Sequence, residues 1–158
     1  MQTFLPYESF EASARCLDKK RCWKQVVEAK QIICTLRAKY LPKDWVESSS
    51  YKNQKWINHP AVAMWIGYEE ALKQYYNVFL EHCLRVHKID TKMPFIPIDY
   101  DNYKLPWWIG VEKFHRAMRS RLIEKDKNFY KLHFPKDQGY NEGKYFWPKN
   151  KNKSFKVI

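Results

Sequence analysis

Apolar side chains recur every three or four positions from Lys19 to Tyr40, at Cys22, Val26, Ala29, Ile33, Leu36 and Tyr40. That period belongs to the α-helix, and holding it over about five turns commits the segment to a helix with one buried face. Asp18 stands ahead of it as a cap, and Leu41-Pro42 ends it. The opposite face carries Arg21, Lys24, Glu28 and Gln31, a single polar strip holding one carboxylate among cations and an amide. A short helix over Glu11 to Cys16 precedes it.

Two more segments repeat the pattern. In NHPAVAMW, Asn58 is placed to cap a helix with Pro60 in its first turn. The stripe Val62, Trp65, Leu72, Phe79, Cys83, Val86 carries that helix from about His59 to His87, a central strut roughly 40 Å long. The last helix runs from about Ile109 to Lys125, with Val111, Phe114, Met118 and Leu122 inward and Lys113, Arg116, Arg119, Arg121 and Lys125 outward. Residues 43–58 are polar and read as a loop, and TKMPFIPIDYDNYKLPWW is broken by three prolines into an extended surface connection. No strand, repeat or domain boundary is evident. The expected architecture is all-α, a compact three-helix domain with long connecting loops. One domain spans residues 1–158, and residues 144–158 form a basic, partly flexible, solvated tail.

Composition narrows the function. Four glycines leave little material for tight β-turns, and neither G-x-x-x-x-G-K nor G-x-G-x-x-G occurs. The net charge of +12 and the 17% aromatic content point to an acidic polymer, with nucleic acid first. No apolar run spans a bilayer, and MQTFLPYESF lacks the charged start and cleavage site of a secretory leader, so a cytoplasmic monomer is expected. Cys16, Cys22, Cys34 and Cys83 form no C-x-x-C pair and read as free thiols of a reducing compartment. Cys83 and His87 share a helical i, i+4 spacing with His82 adjacent, but two further metal ligands have no obvious source. No metal or organic cofactor is expected.

Enzyme templates are sparse. G-x-S-x-G, H-E-x-x-H and the zinc-deaminase signature are all absent, and Asp99, Asp101 and Glu112 are too scattered for a two-metal site. Glu28 stands out instead. Its plain reading is an i, i+4 salt bridge with Lys24, worth a few tenths of a kcal/mol. A carboxylate opposes phosphate binding, however, so its other reading is as a chemical group. The apolar start Phe4, Leu5, Pro6, Tyr7 is expected to pack and to hold the amine of Met1 against the fold.

MQTFLPYESFEASARCLDKKRCWKQVVEAKQI, NHPAVAMWIGYEEAL and PWWIGVEKFHRAMRSRLIEKDKNFY resemble the pyrimidine-dimer DNA glycosylase/AP-lyase family of small bacterial and phage proteins. The resemblance covers the three helical blocks, over half the chain. It implies an all-α, cofactor-free enzyme acting on damaged double-stranded DNA. In that family an N-terminal α-amine attacks the sugar C1′, forms a Schiff base and cleaves the strand by β-elimination. A glutamate on the first long helix assists.

Carried over, the catalytic pair is Met1 and Glu28. The last-helix motif A-R-L-x-E-K is matched by Ser120 to Lys125, which gives Arg121 and Lys125 a DNA-contact role. Arg21, Lys24, Gln31 and Arg119 extend that set. His59 and His115 lie in the resembling blocks; His59 reads either as part of the Asn58-Pro60 cap or as a wall of a flipped-nucleotide pocket. Trp65, Trp107 and Trp108 read as core. Departures from the prototype are also visible. Gln2 is too large for methionine removal, so Met1 itself must supply the amine, and two arginines flanking the glutamate are here Val27 and Gln31. An α-amine is a sensible nucleophile near neutrality, since its reference pKa is about 7.7–8 against lysine's 10.4. Two other readings stay open: a non-catalytic DNA-binding module of the same fold, and a glycosylase for a modified base.

Overall fold

A computed structural model describes all of residues 1–158. The architecture is mostly helical, with eight α-helices and one small two-stranded sheet. The helices are α1 (Phe10–Cys16), α2 (Lys19–Thr35), α3 (Lys43–Val46), α4 (Ser49–Asn53), α5 (Pro60–Ala63), α6 (Glu69–Arg85), α7 (Glu112–Lys125) and α8 (Lys127–His133). The strands are β1 (Phe146–Lys149) and β2 (Ser154–Val157).

The three long helices exist, but each differs from expectation for a local reason. The Asp18 carboxylate accepts from Arg21 N–H and starts α2 as predicted. The helix stops at Thr35 rather than Tyr40 because Arg37 turns left-handed, at φ 51°. Ala38 N–H then reaches back to Ile33 O at 3.2 Å. The expected strut from His59 to His87 is two helices. Gly67 takes φ 85° between them, and α6 restarts after Tyr68. His59 caps α5 through its ring, Nδ1 accepting from Ala61 N–H at 3.1 Å, a role sequence reading divided with Asn58. The polar stretch 43–58 is not a plain loop but holds α3 and α4. Its ordering follows from Arg37, which donates to the carbonyls of Tyr51 at 3.0 Å and Lys52 at 3.1 Å.

α2 and α6 pack face to face, and α1 lies against α6. One cluster of 32 buried residues runs through these helices, the start of the chain and α7. Trp65 and Trp108 are fully buried in it and meet edge to face at 4.9 Å, so both are core. Trp107 is half-buried, its Nε1 donating to Asn150. The proline-rich connection wraps as predicted, with its backbone caught by α6. Tyr76 donates to Pro94 O at 2.8 Å, Asn77 exchanges two bonds with Ile96, and buried Lys73 reaches Pro97 O.

The tail is the largest structural surprise. Far from a solvated arm, β1 and β2 pair antiparallel, with Phe146 opposite Val157 and Lys149 opposite Ser154. Trp147 is buried, and Phe155 packs near Phe114 and Trp107. Asn150 in the turn donates to the carbonyls of Ala63, Met64 and Ile66, tying the hairpin to the end of α5. Alternating aromatics among lysines masked the period-two pattern, because both faces carry rings and the strands are only four residues long. No helix is long and apolar enough to cross a membrane.

Candidate functional site

The first six residues run without regular structure against α2, α6 and α7, and side chains of those helices hold most of their backbone. Gln2 N–H donates to Glu28 Oε2 at 3.0 Å and Phe4 N–H to Gln25 Oε1 at 2.7 Å. Tyr75 OH donates to Phe4 O at 2.9 Å, and Trp65 Nε1 to Thr3 Oγ1 at 3.0 Å. His115, buried on α7, donates from Nδ1 to Leu5 O at 2.8 Å while Nε2 accepts from Gly110 N–H at 2.9 Å. Those two bonds fix the neutral tautomer, and burial holds its pKa below the ordinary value. Arg119 completes the clamp by donating to Pro6 O at 2.8 Å.

Beside the clamped segment lies a cavity of about 380 Å³. Met1, Gln2 and Phe4 form its floor. Lys20, Arg21, Lys24, Gln25 and Glu28 of α2 form one side, with Lys125 from the end of α7. His59, Tyr145 and Trp147 form the other. Glu28 is 8% exposed, with Lys24 Nζ 3.7 Å from Oε1. The salt bridge is therefore present, yet the other carboxylate oxygen holds the backbone of residue 2. Both readings of Glu28 coexist in one geometry.

Electrostatics bind this group together. Burial lowers the His59 pKa first, the α-ammonium of Met1 lowers it further, and Glu28 opposes both. The ring therefore senses the chain's first amine and Glu28 together. Because Nδ1 accepts from Ala61, the neutral ring keeps its proton on Nε2 and can only donate there. Lys125 is pushed down by burial and then by Lys24, Arg121 and Arg21, with Glu28 pulling the other way. A dense cationic rim thus surrounds one carboxylate.

The predicted residues divide sharply. Met1, Glu28, Arg21, Lys24, His59 and Lys125 share the cavity. Arg21 is partly committed to structure, bridging Asp18 at 3.3 Å and donating to Lys125 O. Arg121 lies behind the rim, paired with Glu124 and stacked over the Tyr145 ring at 4.8 Å. Gln31 is exposed on α2 outside the lining. His115 and Arg119 are elsewhere. Both are buried, and Arg119 is enclosed by Asp137, Glu112 and Pro6 O, so neither has a group left for an external ligand.

Gln2, Tyr145 and Trp147 line the cavity without having been singled out. Gln2 left a trace in sequence only through its size. Its Oε1 accepts from Thr3 N–H at 2.8 Å, while its Nε2 is buried with no partner. Trp56 stands half-exposed beside His59, with ring centroids 6.2 Å apart and φ 74°.

Comparison with known proteins gives one match. The family model for pyrimidine dimer DNA glycosylase aligns with residues 1–95. Curated proteins and solved structures yield no match.

Proposed function

The chain belongs to the pyrimidine dimer DNA glycosylase family, and from that membership we propose that it excises a damaged pyrimidine from duplex DNA and cleaves the strand as an AP lyase. One observation carries the proposal: Gln2 N–H rests on Glu28 Oε2, so the residue bearing the α-amine is tethered beside the only carboxylate of a cationic cavity.

Met1 supplies the nucleophile. Its amine nitrogen bonds to C1′ as the C1′–N glycosidic bond breaks, and the base departs with the bonding pair. Negative charge grows on that base, and Nε2–H of His59 is the neutral donor beside it in the cavity lining. Glu28 takes the proton released from the amine and stabilises the cationic sugar. The furanose then opens to a Schiff base. Removal of a C2′ proton expels the 3′ phosphate by β-elimination. Lys20, Lys24 and Lys125 hold the backbone phosphates at the rim, with Arg21 and Arg121 behind them. Trp56 and Trp147 flank His59 and offer faces for an extruded base.

Borohydride trapping tests it. Incubation with duplex DNA carrying an abasic site should give a covalent adduct whose peptide map ends at Met1. Intact mass must first show a free, unacylated Met1. Attachment at Lys20, Lys24 or Lys125 retains the lyase class and discards the terminal amine. Normal DNA affinity with no adduct on abasic or UV-irradiated duplex selects the non-catalytic binding module. Trapping on abasic DNA with no release from UV-irradiated DNA selects the modified-base glycosylase.

A further inference from the structure

Opposite the cavity, α2 and α6 bring together a second set of chemically capable side chains. Sequence spacing pairs Cys83 with His87 and sets His82 beside them, with no further ligands in view. Folding brings in Cys22. Cys22, in the first turn of α2, points its sulfur into the end of α6, and the donor atoms of Cys22, His82 and His87 all lie within 4.8 Å of one another. Cys83 Sγ is 3.4 Å from Cys22 Sγ. The chain arranges this by bending back after α6. Lys88 turns left-handed at φ 55°, Ile89 N–H returns to Cys83 O, and the His87 ring folds onto His82 with centroids 5.1 Å apart.

One atom of the cluster is short of a partner. His87 Nε2 is buried with no hydrogen bond, and both sulfurs are fully buried. Buried polar atoms rarely stay unpaired, because each costs about 1–3 kcal/mol. Two imidazoles and two thiols are the donor set of a tetrahedral zinc site, with Zn–N near 2.0–2.1 Å and Zn–S near 2.3 Å. Side-chain adjustments on the order of 1 Å bring the three grouped donors to those bond lengths, and Cys83 Sγ, outside that group, turns from Cys22 Sγ toward the imidazoles to complete the tetrahedron.

We propose that Cys22, Cys83, His82 and His87 bind one zinc ion that clips the start of α2 to the end of α6. The exchange balances. Zn²⁺ takes both sulfurs as thiolates and both imidazoles as neutral ligands, two protons leave to solvent, and the complex is neutral. Neutrality suits a buried site. The metal is structural, since four protein ligands leave no open position and none of them lines the cavity beside Glu28.

Untagged, reduced and metal-stripped protein is titrated with Co²⁺ and then Zn²⁺. The expected result is one Co²⁺ per chain, with thiolate charge-transfer absorption and tetrahedral visible bands, displaced by one Zn²⁺. Zinc should also raise the thermal midpoint by mass action. Cys22→Ala and His87→Gln should each lose saturable binding and the thermal shift. His87 lies past the helix end and is partly exposed, so its variant keeps the native far-ultraviolet spectrum. The proposal is overturned by no Co²⁺ uptake in the reduced wild type, by uptake persisting in both variants, or by a Cys22–Cys83 disulfide in freshly isolated protein.

Discussion

Glu28 has two oxygens with two duties, and substituting it separates them. In Glu28→Gln the amide oxygen still accepts from Gln2 N–H, so the terminal segment stays docked. Removing a negative charge from a phosphate-facing rim should leave DNA affinity equal or higher. Loss of the proton acceptor should slow strand cleavage by about 10²–10⁴, measured by single-turnover gel assay. His59 gives a pH signature. Its folded pKa is lowered, so the Nδ1 cap on Ala61 is intact above the ordinary value of 6.5 and is lost as pH falls through the lowered one, where the imidazolium keeps Nε2–H but the ring is released from its cap. Base release should therefore fall along an acid limb below that ordinary value. His59→Asn keeps a cap acceptor for Ala61 but withdraws the donor from the cavity, and a pH–rate profile should show lower base release with that limb gone. Of these residues, Glu28 was legible because a lone acid on a basic helical face violates the charge pattern around it. Gln2 was not, because only tertiary packing shows that one side of its amide is satisfied and the other is not.

Among the elements, α7 answers two questions at once. Its exposed end, Lys125, reaches the cavity rim, while its start and middle are internal struts. Lys125→Gln should flatten the salt dependence of duplex binding by about one unit of log–log slope, read from titrations at several salt concentrations. Arg119→Ala should not touch that slope. It removes one of the two arginines that pair buried Asp137, leaving Arg116, and frees Pro6 O, so it should cost about 1–3 kcal/mol in denaturant unfolding. Sequence reading treated both as outward cations of one basic helix. They differ because the turn around Asp137, eighteen residues further on, folds back to enclose Arg119. A second test concerns the turn that leads into the hairpin. Gly143 has φ +71°, and a Cβ there would lie 1.9 Å from Glu124 Oε1. Glu124 holds Arg121, and Arg121 stacks on Tyr145. Gly143→Ala should destabilise by about 1–2 kcal/mol and loosen the Tyr145 wall, seen as a lower thermal midpoint. Helix stripes were readable because period and burial agree; the break at Gly67 and the short β-hairpin depend on contacts that no local pattern carries.

At the scale of the whole molecule, the family match stops at residue 95 while the cavity does not. Met1 to His59 lies inside the matched block; Lys125, Tyr145 and Trp147 lie beyond it. A chain cut after Gly143 should keep salt-sensitive DNA binding through Lys20, Lys24 and Lys125, yet trap far less abasic DNA. Its exposed Phe114 and Trp107 should lower the thermal midpoint. Charge excess was the plainest message of composition, and it holds around the cavity rim. The encounter of residues 1–4 with residues 145–147 was invisible, because no local rule links segments that far apart. That encounter also has a meaning in time. Ribosomes make residue 1 first and Trp147 more than a hundred residues later, and contacts between such distant segments form slowly. A half-made chain thus carries Met1 and Glu28 without Tyr145 and Trp147 across the cavity. The cavity closes on that side only once synthesis has passed the hairpin.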